Sequence, residues 1–142
     1  MRLFTKIRRY LSIGSHRSKV PTGIIPLKKI RKAVVFVDNA DEGLEATKVR
    51  ISKFFGDNHI STAFISAADA DIRTKSDIFI AINGHKSVDE QYAASSSTAR
   101  FKVGRHQLKR QIYDCVVADP TDEPVPVAEA FDLMMKLLAN IK

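Results

Sequence analysis

The chain of 142 residues has no tryptophan, a single cysteine and four histidines. One cysteine excludes an internal disulfide, and the scattered histidines offer no ligand spacing for zinc, so no metal is expected. No apolar run approaches the roughly 18 residues that a membrane-spanning helix needs. Residues 1–13 are basic, yet no continuous apolar stretch or small-residue cleavage site follows, so no secretory signal is expected and a reducing cytoplasm fits best. G-x-G-x-x-G is missing after the first strand, and G-x-x-x-x-G-K-[ST] is missing altogether, so dinucleotide and P-loop binding are unsupported and no cofactor is expected. The most informative absence is acid. The first 37 residues hold ten Lys or Arg and no Asp or Glu, whereas the remaining 105 hold thirteen basic and sixteen acidic residues. The formal charge of +7 is thus +10 on an N-terminal arm and −3 on the rest. This asymmetry points to an arm that meets a polyanion or an acidic surface.

The length suits one domain with one core. Residues 1–13, MRLFTKIRRYLSI, place Leu3, Phe4, Ile7, Tyr10 and Leu11 on one helical face and Arg2, Lys6 and Arg9 on the other, closed by Gly14. Pro21, Gly23 and Pro26 make the following stretch an extended linker. Residues 1–32 therefore read as basic arm and linker, and 33–142 as the domain.

The run 33–37 is continuously apolar, as in a strand covered on both faces. A helix over 42–55 with Asp41 as candidate N-cap and Gly56 as its end leads to a second strand at 60–65. A third strand covers 77–82, ended by Asn83-Gly84, and Ser87 caps a short helix over 88–94. Residues 99–103 and 113–118 make two more strands, and a last helix starts at Val127. Strands alternating with helices predict a three-layer α/β sandwich with a mostly parallel sheet of about five strands.

The arm supports RNA binding through phosphates, attachment to an anionic membrane, an organelle transit peptide, or a solvated tail whose apolar stripe docks on the domain. A second basic cluster, Arg100, Lys102, Arg105, His106, Lys109 and Arg110, lies within eleven residues and contains no acid. Arg100 and Lys102 share a face if that piece is a strand, with Phe101 and Val103 turned to the core. Such a run is often just a solvated face, but two basic patches on a domain otherwise net acidic favour a phosphate-tracking surface. The expected contacts are Arg2, Lys6, Arg8, Arg9, Arg17 and Lys19 on the arm, and Arg100, Lys102, Arg105, Lys109 and Arg110 on the cluster. Deleting residues 1–31 is expected to abolish polyanion binding and leave the fold intact.

The rival reading is a small-molecule or nucleotide-sugar site. Ligands of open parallel sheets bind beyond the carboxyl ends of the strands. Asp38 and Asp41 follow strand one, Asn83 and His85 follow strand three, and Asp119 follows strand five, so these can converge on one crevice. His85 would then be a base oriented by Asp38. Helix caps and turns account for the same residues more simply. Ser95 to Thr98 read as a polar loop, since no G-x-S-x-G elbow surrounds them. Cys115 reads as an inert core residue.

From Ser76 onward, Asp77-Ile78-Phe79-Ile80, the Ala94-Ser95 helix end, Ala99-Arg100-Phe101-Lys102-Val103-Gly104-Arg105 and Ile112-Tyr113-Asp114 occur in an order that resembles a family of short bacterial α/β proteins. That family is common in Bacteroidetes-type genomes and known only as a domain of unknown function. The A-x-F-K-V-G-R block is the most specific part, and Asn83 stands where the family has a strand-end Asp. The resemblance implies an α/β fold and no activity. A weaker, fold-level likeness is to the N-terminal half of heptosyltransferases. The reading that follows is a non-enzymatic protein binding RNA or a ribonucleoprotein, ribosome-like surface. The alternatives are the strand-end crevice and peripheral attachment to an anionic membrane. Nothing in the sequence sets an oligomeric state.

Overall fold

The computed structural model describes residues 3, 4, 7–9, 18–70, 75–108, 111–119 and 124–141. Five parallel strands form one sheet: β1 (Lys32–Phe36), β2 (Ser61–Ile65), β3 (Ile78–Ala81), β4 (Phe101–Gly104) and β5 (Cys115–Val116). Their order is β2-β1-β3-β4-β5. The helices packed on it are α1 (Leu44–Asp57), α2 (Val88–Ser96) and α3 (Val127–Asn140), and the described arm residues 3, 4 and 7–9 are also helical.

The sheet is covered on both faces, which is why the central strands β1 and β3 are apolar apart from Lys32 at the very start of β1. Ala33, Val35 and Val37 of the first strand region face α1 and α3, together with Ile78, Ile80, Phe101 and Val103. Val34 and Phe36 face the other layer, with Phe79, Ala81 and the α2 residues Tyr92, Ala93 and Ala94. Helices α1 and α3 lock through Phe54, Phe55 and Phe131, whose rings meet edge-on at 5.3–6.4 Å between centroids. Such pairs add roughly 0.5–1.5 kcal/mol beyond the area they bury. Arg50 and Asp132 pair across the outer side of the same two helices.

Several local expectations change for identifiable reasons. Helix α1 begins after Gly43, whose φ of 76° suits glycine, and not on an Asp41 cap. Asp41 instead accepts the Gly84 amide at 3.0 Å, tying the turn after β1 to the turn after β3. The same helix runs one residue beyond Gly56, and Asn58 and the left-handed His59 (φ 61°) make the reversal. Ser87 does cap α2, accepting the Glu90 amide at 3.0 Å. Ser95 and Ser96 belong to the last turn of α2 and are buried, with the Ser96 hydroxyl donating to the Tyr92 carbonyl at 2.8 Å. Strand β5 is two residues long, and the two residues before it, Tyr113 and Asp114, bond through their side chains. The Tyr113 hydroxyl donates to Glu90 at 2.6 Å, and the Asp114 carboxylate accepts the Lys102 amide at 2.8 Å.

The packed body also starts before β1. Ile30 is fully buried, and Ile25 and Leu27 pack on the same core. Deleting residues 1–31 would therefore remove a core side chain and should cost stability, so a truncation that tests the arm alone has to end before Ile25.

Candidate functional site

Because all strands are parallel, their starts share one edge of the sheet and their ends the other. The starting edge is basic. Lys28, Lys29, Arg31 and Lys32 lead directly into β1, Lys75 precedes β3 and Arg100 precedes β4; all six are exposed. Asp77 stitches this rim together. One of its oxygens accepts the Arg31 and Lys32 amides at 2.8 and 3.1 Å, and the other meets Arg100 at 3.3 Å. Burial raises the Asp77 carboxyl, but these two amides and Arg100 outweigh it and hold the group below its ordinary 3.8. The remaining acids here are also engaged: Asp57 with Lys53, and Asp114 with Thr22 and the Lys102 amide.

The cluster at 100–110 is divided by the fold. Arg100 stays exposed, but Lys102 and Arg105 are 4% and 3% exposed and cannot reach a phosphate from there. This overturns the expected outward face shared by Arg100 and Lys102: strand β4 is covered on both sides, so its alternation separates two buried layers. Arg105 is a clamp inside the chain. Its guanidinium grips both Asp119 oxygens at 2.9 and 3.0 Å and donates to the Ile82 and Val125 carbonyls at 2.9 and 3.0 Å. Gly104, next to it, is required by a close approach. A Cβ there would lie 2.3 Å from the Tyr113 ring. The A-x-F-K-V-G-R block is thus built of core residues and a buried ion pair.

On the arm, Arg8 and Lys19 are exposed. Arg9 is 4% exposed and turned inward, bonded to Asp89 at 2.6 Å and to the Ala67 carbonyl at 2.8 Å, with Tyr92 beneath it at 5.8 Å. Its expected phosphate contact is corrected accordingly. Leu3, Phe4 and Ile7 are 71%, 74% and 50% exposed. The expected contacts Arg2, Lys6, Arg17, Lys109 and Arg110 lie outside the described residues.

The opposite edge, where the strands end, collects acid. Asp38, Asn83 and His85 line one cavity of about 360 Å³, together with Ser66, Ser87 and Asp89. A second, more open cavity of about 670 Å³ is lined by Asp41, Gly84, His85, Arg105 and Pro126. The crevice residues therefore gather at one end, but not as a single catalytic set. Asp119 is consumed by Arg105 and Asp41 by Gly84. Asp38 accepts the Ala40 amide at 2.9 Å within its own turn, and His85 is exposed, so the expected His85–Asp38 relay is not assembled. Behind the cavity, the fully buried Glu90 accepts from Asn83 and from Tyr113, both at 2.6 Å. Burial and the Glu90 charge push the Tyr113 hydroxyl well above its ordinary value. His106 lies 3.0 Å from the Asn83 carbonyl. Asn83 was legible as a turn and a candidate crevice residue, Glu90 only as a helical residue; their joint burial has no sequence signal.

Among the described residues no group of three or more His, Cys, Asp or Glu side chains could hold a metal ion. Cys115 is half-buried, and burial with the nearby Asp114 raises its thiol, which disfavours a reactive thiolate. Also among the described residues, no helix is long and apolar enough to cross a membrane. No family model, curated protein or solved structure matches the chain.

Proposed function

We propose that this protein is a non-enzymatic RNA-binding protein that meets the phosphate backbone, free or on a ribonucleoprotein surface, with the basic rim at the starting edge of its sheet. The observation that carries this reading is the grouping of Lys28, Lys29, Arg31, Lys32, Lys75 and Arg100, all exposed, from three separate chain segments. Cations spaced along a rigid rim can release counterions from successive phosphates, which supplies affinity without reading sequence. Within the rim segments 28–32, 75–77 and 99–101 no aromatic side chain is exposed, so base stacking contributes little there. The exposed Arg8 and Lys19 extend the charge onto the arm.

The test is fluorescence anisotropy of a 20-nucleotide single-stranded RNA against the full-length protein over a salt series. A K28S/K29S/K32S variant changes exposed side chains only. Removing three phosphate contacts should flatten the log–log salt slope by about 2, at roughly 0.7 per contact on single strands. An unchanged slope and affinity would refute the rim as the contact surface.

The exposed Leu3, Phe4 and Ile7 beside Arg8 favour a second reading, peripheral attachment of the arm to an anionic membrane. It predicts co-sedimentation with phosphatidylserine vesicles that a L3S/F4S/I7S variant loses and the rim variant keeps.

A further inference from the structure

We propose that the cavity at the carboxyl ends of β1, β2 and β3 binds an uncharged, polyhydroxylated small molecule of nucleoside or monosaccharide size. Three independent features converge on it. The first is topology. The chain leaves β1 for β2 on one side and returns to β3 on the other, and the crevice between such diverging connections is where open parallel sheets bind ligands. The second is size, since about 360 Å³ lies at the small end of the range of roughly 300–1,000 Å³ for ligand pockets.

The third is the chemistry of the wall. Asn83 is 1% exposed and fixed by its amide NH2, which donates to Glu90 at 2.6 Å and to the His85 carbonyl at 2.9 Å. Among the described residues its buried Oδ1 has no partner, a costly arrangement for an acceptor unless a donor arrives. Asp38 adds a half-buried carboxylate engaged only by the Ala40 amide among the described residues, leaving several lone pairs to accept. The other carboxylate on the wall, Asp89, is neutralised by Arg9. The charged Asp38 and the buried Asn83 Oδ1 are thus acceptors, so a ligand that brings donors suits this wall. A phosphate would meet the Asp38 charge with the one guanidinium already taken. A polycation would meet Arg9 at the Asp89 side. Vicinal hydroxyls satisfy Asp38 and Asn83 without either conflict.

The experiment is a titration of isotope-labelled full-length protein with adenosine, uridine and methyl glucoside, followed by amide chemical shifts. AMP and spermidine serve as charged comparators. Saturable shifts confined to residues 38–40, 66–68 and 83–87 with at least one of the three neutral probes, and weaker binding of AMP, are expected. Asp38→Asn should weaken that binding at least tenfold. Ala40→Leu, at an exposed position on the cavity wall, should block it with an unchanged thermal midpoint. Tighter binding of AMP or spermidine, or no localised shift with any neutral probe, overturns the proposal.

Discussion

Replacing Arg105 by methionine separates a structural arginine from a nucleic-acid contact. The Arg105 side chain is fully buried and that of Asp119 is 13% exposed. Methionine refills much of the volume, but it strands the Asp119 carboxylate and the Ile82 and Val125 carbonyls, all of which the guanidinium now serves. Removing one partner of a buried pair costs about 3–5 kcal/mol. Asp119 keeps a little water contact, which sets the expected loss near the lower end, about 3 kcal/mol. At roughly 4 °C per kcal/mol for a chain of this size, the thermal midpoint should fall by about 12 °C. Urea and thermal unfolding followed by circular dichroism read the stability, and RNA anisotropy on the folded variant reads the function. The double replacement R105M/D119L should recover most of the loss, because apolar replacement of both partners is often near neutral. A variant within about 0.5 kcal/mol of the parent, with RNA affinity reduced as for a rim lysine, would refute the clamp and return Arg105 to the phosphate surface.

Gly104→Ala should cost about 1–3 kcal/mol through overpacking, because the new methyl would sit 2.3 Å from the Tyr113 ring; parental stability would show that the ring is not seated there. Asp77 gives a pH signature. Its folded value is depressed, so the unfolded chain takes up the proton first, and its stabilisation is present above about pH 3.8 and lost as pH falls through the lower folded value. Asp77→Asn should remove that component from urea midpoints measured between pH 5 and 2, and identical profiles for the two proteins would contradict it.

The block at 99–105 shows how far local pattern carries. Phe101 and Val103 were legible as core because β4 alternates, but alternation says nothing of what covers the other face. Leu108 and Ile112 do so here: they pack into the α2 layer, and Lys102 is buried as well. Asn83 shows the same limit, since a turn signal cannot reveal that Glu90 and Tyr113 close over the residue from elsewhere in the chain.

By itself the sequence determined the α/β class, the succession of strands and helices, the Ser87 cap and the excess of positive charge near the N-terminus. These follow from periodicity, turn chemistry and composition, which act over a few residues. Only the tertiary structure decided where charge stands in space. Parallel pairing brings every strand start to one edge, so Lys28 to Lys32, Lys75 and Arg100 become one basic rim, while Asp38, Asp41, Asp89 and Asp119 gather at the other end. It also turned Arg9 and Arg105 inward, because each found a carboxylate distant in sequence that burial made worth keeping.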